Sequence, residues 1–206
     1  MENVTDRLSN PFDMQPPCED FVPGYGDANA DVHVIGESPE RHGGEATGVP
    51  FTASRAGRRL QSVLEEVGLI ESTGDRPSAS NLYLSYLDPC IDDGPDRTFS
   101  AVEPFFDAEL RAITAHVLVP VGDRVSRHVL ERFTTFPMEQ YSMGTVHATE
   151  ISGGGWLVVP LADPVDWHGT ERTAARETLE GVLARDYRRE SDLGRFLTGP
   201  DHYLVR

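Results

Sequence analysis

The sequence predicts an α/β fold: three layers, α/β/α, around a mostly parallel central sheet. Three observations carry that expectation. Short apolar runs of strand length recur along the 206 residues. Segments with apolar residues every three to four positions separate them. The runs are apolar throughout rather than alternating, as expected of strands covered on both faces. One domain over residues 1–206 is the default at this length, with residues 1–20 and 190–206 as loose termini.

The elements follow in order. Asp31 to Ile35 ends in Val32, Val34 and Ile35, with Gly36 after it, and reads as the first strand. After a glycine-rich loop, Ser54 precedes Ala56, Leu60, Val63, Leu64 and Val67, a helical spacing closed by Gly68. Leu82 to Leu87 is the next strand, and an acidic loop from Asp88 to Asp96 follows. Ser100 and Glu103 have capping-box spacing ahead of a helix that turns Val102, Phe105, Phe106, Leu110 and Ile113 inward. Val117 to Val121 is a third strand, after which Asp123 can cap a helix carrying Val125, Val129, Leu130 and Phe133. Thr145 to Ile151 and Trp156 to Pro160 flank a Ser-Gly-Gly-Gly turn and read as a hairpin. A loop from Asp163 to Gly169 leads to a last helix over Thr170 to Tyr187.

Composition narrows the function. There are 34 acidic residues against 18 basic ones, a net charge of −16, and every basic residue is Arg. Acids spread along the whole chain suit a protein of a salt-rich cytoplasm, where self-repulsion is screened within about 3 Å at 1 M; an ordinary acidic protein is the alternative. No apolar run is long enough to cross a membrane and no secretory leader opens the sequence, so a cytoplasmic monomer is expected. Two cysteines, Cys18 and Cys90, make neither a disulfide framework nor a four-ligand metal site. Nucleophile-elbow, phosphate-loop and dinucleotide fingerprints are absent, which removes the common hydrolase, NTPase and dehydrogenase readings.

Ligands of such sheets bind at the loops beyond the carboxyl ends of the strands. The first of these loops reads Gly36-Glu37-Ser38-Pro39, then Gly48-Val49-Pro50-Phe51, then Arg55-Ala56-Gly57. Glu37 follows its strand directly, where a carboxylate reaches the crevice. In order and kind, these elements resemble the uracil-DNA glycosylase superfamily, and most of all its iron–sulfur family four class. The resemblance runs from about residue 18 to residue 187, through Tyr83-Leu84-Ser85, the Cys90 loop, and Val158-Val159-Pro160 ahead of Asp163-Pro164.

The resemblance implies DNA as partner and base excision as activity: a flipped base enters a pocket, an aromatic ring stacks on it, and the N-glycosidic bond breaks. It implies Phe51 as the stacking ring. Glu37 becomes the carboxylate that positions water and stabilises the cationic sugar, while Gly36, Ser38, Pro39 and Arg55 lie along the DNA backbone. Arg55, Arg58 and Arg59 serve phosphate contact or are ordinary surface charge. Two departures stand out. The family's base-reading Asn falls at Tyr86, and the His of its late motif falls at Asp163, whose ionised form repels a departing base anion. His168 is either a substitute donor or a surface histidine. Trp167 could line the cleft, whereas Trp156 belongs to the core. The four cluster cysteines correspond to Cys18, Phe21, Cys90 and about Val102, so no iron–sulfur cluster and no other metal is expected. A non-catalytic nucleic-acid-binding paralogue of the same fold is the second reading, and an unrelated small-molecule enzyme on that fold the third.

Overall fold

A computed structural model describes residues 9–91 and 98–194. Among them runs a six-stranded sheet in the order β1-β3-β2-β4-β6-β5. Its strands are β1 (Tyr25–Gly26), β2 (Val32–Gly36), β3 (Leu82–Tyr86), β4 (Val117–Pro120), β5 (Ile151–Gly153) and β6 (Trp156–Val158). The inner four are parallel, with Val34 beside both Leu84 and Val119, and β1 and β5 add antiparallel edges. The expected three-layer α/β/α sandwich is what forms.

Alternate strand residues feed two cores. Val32, Val34, Leu82, Leu84, Val117 and Val119 meet Leu60, Val63 and Leu64 of helix α2 (Arg55–Glu66) and Leu179 and Val182 of α6 (Gly169–Leu183) on one face. Ile35, Tyr83, Leu118 and Val158 meet Phe106 and Leu110 of α3 (Phe99–Ile113) and Val125 and Val129 of α4 (Asp123–Phe133) on the other. The helical spacing in the sequence therefore marked the faces that are buried. Short helices α1 (Pro39–His42) and α5 (Met143–Val146) sit in the connections, and α7 (Tyr187–Gly194) follows α6.

Four local expectations are corrected. The Ser100–Glu103 capping box does not form, because α3 starts at Phe99 with extended Thr98 as its cap, leaving Ser100 inside the first turn. Gly122, not Asp123, caps α4; Asp123 is its first helical residue, with its carboxylate by the positive end of the helix dipole. The first hairpin arm is shorter than expected, since residues 143–146 close a helical turn capped by Ser142 and only Ile151–Gly153 pair with β6. The last helix breaks near Asp186, whose side chain accepts from the Arg189 N–H at the start of α7. Asp31, at the amino end of β2, accepts from Tyr187 and Arg188 and so pins α7 under the sheet. Asp92, Asp93 and Asp96 of the acidic loop lie outside the described residues, as do residues 195–206.

Candidate active site

Strands β2 and β4 are neighbours, and both end at one crevice. Glu37 comes first after β2. Its carbonyl accepts from Asp88 N–H, and its side chain, 19% exposed, lies 3.6 Å from Arg41 Nε and 3.6 Å from Arg124 of α4. Gly36 must be glycine, since a β-carbon there would come 2.6 Å from the Tyr86 ring and 2.7 Å from Phe51. Pro39 opens α1, whose single turn carries Arg41 and His42 back over the crevice.

The α1 turn buries His42 completely. Its Nδ1 accepts from the Glu37 N–H at 3.0 Å, and its ring stacks on Phe51 with centroids 5.4 Å apart. Phe51 is also fully buried, at φ +58°, and the tilted Tyr86 ring lies 5.3 Å away. The Tyr86 hydroxyl accepts from Phe51 N–H at 2.7 Å and donates to the Gly43 carbonyl at 2.6 Å. Burial pushes the Tyr86 phenol well above its ordinary pKa, so it stays a neutral bridge between two stretches of loop. Tyr86 and Phe51, the two expected base-binding residues, thus occupy each other: in this structure neither Phe51 face is open to solvent and both functions of the Tyr86 hydroxyl are taken.

Asp163 closes the site from the loop after β6. Arg41 Nε donates to its Oδ2 at 2.7 Å, Val165 N–H donates to Oδ1, and His42 Nε2 lies 3.6 Å from Oδ2. Burial raises the Asp163 pKa, but the His42 ring, the Val165 N–H and the Arg41 guanidinium outweigh it and hold the carboxyl well below the usual range. His147 fixes this loop, donating from Nε2 to Glu171 O while Nδ1 accepts from Ala162 N–H. Trp167, 2% exposed, donates to Ala162 O and packs into the core as well as lining a shallow cleft.

Glu37 and Asp163 therefore come together, through Arg41 and His42. His168 is not brought to them. It is exposed at the start of α6, where its main-chain N–H donates to the Glu171 carboxylate, and it borders the cleft of Arg59, Trp167 and Arg172. Ser38 is half-buried before α1, Pro39 is buried and Arg55 is exposed on the first turn of α2. Arg59 reaches across to the carbonyls of Pro164 and Val165. Sequence reasoning missed Arg41, His42 and Arg124. The signal available for His42 was its place five residues after Glu37, one helical turn beyond a proline start; Arg124 gave none.

Cys18 and Cys90 are joined as a disulfide, which the cysteine count alone did not suggest. It staples the N-terminal segment to the loop after β3, alongside hydrogen bonds between Val22 and Pro89 and between Ile91 and Asp20. The residues present do not fit a four-thiolate iron–sulfur cluster: the two sulfurs bond each other, and the corresponding Phe21 and Val102 offer no ligand. Among the described residues, no three His, Cys, Asp or Glu gather as metal ligands, and no helix is long and apolar enough to cross a membrane.

Residues 23–176 match the model of the uracil DNA glycosylase superfamily. The chain is 33% identical over 102 residues to a type-5 uracil-DNA glycosylase of Thermus thermophilus, a match covering 49% of this chain and 44% of that protein. With the type-5 enzyme of Pyrobaculum aerophilum it shares 28% identity over 174 residues, 80% of this chain and 74% of the relative. A Mycobacterium tuberculosis protein of the same name is 28% identical over 104 residues, 39% of its length. These relatives carry the type-5 name, where the motifs resembled family four; the superfamily is common to both.

Proposed function

The chain belongs to the uracil DNA glycosylase superfamily, and on that premise we propose that it is a DNA N-glycosylase that hydrolyses the N-glycosidic bond of a flipped uracil or related damaged base. The observation that carries the reading is Glu37, a partly exposed carboxylate held at the carboxyl end of β2 between two guanidiniums, in the crevice where β2 and β4 both end. A carboxylate there suits a sugar that gains oxocarbenium character as the bond breaks, because it can both face that charge and orient the attacking water. Ser38, Pro39 and Arg55 lie around the same rim and are the proposed backbone contacts.

The proposal extends to setting. The protein acts on DNA as a monomer in a salt-rich cytoplasm and without an iron–sulfur cluster, so its chemistry runs on side chains alone. Phe51 is the proposed stacking ring, which requires the Tyr86 ring beside it to move when the base enters. That requirement favours a second reading, a catalytically impaired paralogue that binds DNA with its base pocket filled by its own aromatics.

Single-turnover assays in molar potassium chloride, on oligonucleotides with uracil, hypoxanthine or xanthine, separate the two. The expected outcome is excision of at least one base and a rate loss of about 100-fold or more in Glu37→Gln. Intact substrate with DNA binding retained would leave the second reading standing.

A further inference from the structure

The late loop offers an acid where a leaving base anion needs a donor. Asp163, held ionised by its neighbours, can only repel it. The donor is elsewhere. His42 Nδ1 accepts the Glu37 N–H, so the proton of the neutral ring resides on Nε2. That Nε2 is buried and has no hydrogen-bond partner; Asp163 Oδ2, at 3.6 Å, is beyond hydrogen-bond length. Buried N–H groups are seldom left unpaired, because the desolvation cost is uncompensated.

The unpaired group also borders an opening. A β-carbon built on Gly122, at the end of β4, would stand 3.7 Å from His42 Cε1 and 4.0 Å from both His42 Nε2 and Glu37 Oε2, with no atom beyond its chain neighbours closer. Space for one heavy atom therefore lies between the carboxylate and the imidazole edge. The Glu37 N–H on Nδ1 and the stacked Phe51 ring set the orientation of the imidazole.

We propose that His42 is the catalytic donor of this site, its Nε2–H holding a carbonyl oxygen of the departing base while Glu37 handles the water. The inference rests on the glycosylase reading above. In the step, the C1′–N bond breaks with its electron pair leaving on the base, whose negative carbonyl oxygen accepts from His42 Nε2–H. Water adds through oxygen to C1′ and gives one proton to Glu37, and the base anion takes up that proton. The imidazole donates a hydrogen bond without being consumed, and the pairing of Nδ1 with the chain keeps the donor on the correct nitrogen throughout.

The test compares single-turnover excision of uracil and of 5-fluorouracil, whose anion leaves more readily and needs less help. For His42→Leu, the expected result is a loss on the order of 100-fold on uracil and a loss at least about tenfold smaller on 5-fluorouracil. His42→Gln can accept from the Glu37 N–H and donate from its amide, and keeps most of the rate on both bases. Equal losses on the two bases in His42→Leu, or a Gln variant as slow as the Leu variant, would overturn the assignment and leave His42 a packing residue. A wild type that excises neither base would instead sink the glycosylase reading, and the donor role with it.

Discussion

Tyr86→Phe removes one oxygen and tests whether that oxygen holds the site loop in place. The ring remains, so no cavity forms and the packing against Phe51 and His42 is unchanged. What is lost is the acceptor for Phe51 N–H and the donor to Gly43 O. Phe51 is fully buried, so its N–H is left without water, at about 1–3 kcal/mol; Gly43 is half-buried and recovers part of its loss from solvent. The two together give about 2–4 kcal/mol. Phe51 also sits at φ +58°, a left-handed conformation costing a non-glycine residue about 1–2 kcal/mol, which the Tyr86 bond helps to impose. Urea unfolding of wild type and variant in the same potassium buffer reads the difference as a shift in midpoint at constant slope. Tyr25→Phe is the control, because that hydroxyl makes one bond, to Pro77 O, and should cost about 1 kcal/mol. If Tyr86→Phe costs less than its control, the bridge between residues 43 and 51 is not what fixes the loop.

Two further outcomes follow from buried groups away from the crevice. Burial pushes the Glu109 carboxyl up to about 7, against the lowering effect of hydrogen bonds from Tyr83 and Ser85. The folded state therefore holds this proton when the unfolded chain has released it, so this group's contribution to stability is full below about pH 4.5 and is lost as pH rises to 7, by up to about 3 kcal/mol; Glu109→Gln should flatten that fall in urea titrations between those pH values, and an unchanged slope would show the group is not the source. Replacing Cys18 and Cys90 by Ser opens a loop with a sequence separation of 72, for which loop-closure entropy gives about 4 kcal/mol. Denaturation with and without reductant measures it, and equal wild-type stability in both would mean the thiols are unpaired in solution.

The parallel strands were legible because each is a run of apolar residues that only a doubly covered sheet accommodates, as Val117 to Val119 shows. The hairpin was less so: a stretch such as Thr145 to Ile151 has no period of its own, and Ser142 capping a single turn decides what its first residues do. Ser100 and Glu103 had the right spacing but the wrong register, since the capping residue must be extended and Thr98 already was. In the site, Glu37 could be found because it abuts a strand. His42 offered only its spacing from Glu37 and Pro39. Its neighbours Glu40, Arg41 and Glu45 are those of an exposed loop, and only the fold presses its ring between Phe51 and Asp163.

The same distinction between chain and place governs the charge. A total of −16 describes a molecule that repels polyanions, yet the total does not describe the crevice. At the crevice, Glu37 and Asp163 are matched by Arg41 and Arg124, with the His42 ring between the acids. The adjoining first turns of α2 add Arg55, Arg58 and Arg59, and Arg59 is tied directly to the Asp163 loop through Pro164 and Val165. Five guanidiniums therefore stand at this edge, interleaved with acids that include Glu40, Asp123 and Asp166. Since screening confines each charge to within about 3 Å at molar salt, a phosphate arriving there responds to those guanidiniums and not to the distant acids. Counter-ion release contributes little to affinity under such conditions, so the proposed contact with DNA has to be made by short-range pairing at this one edge.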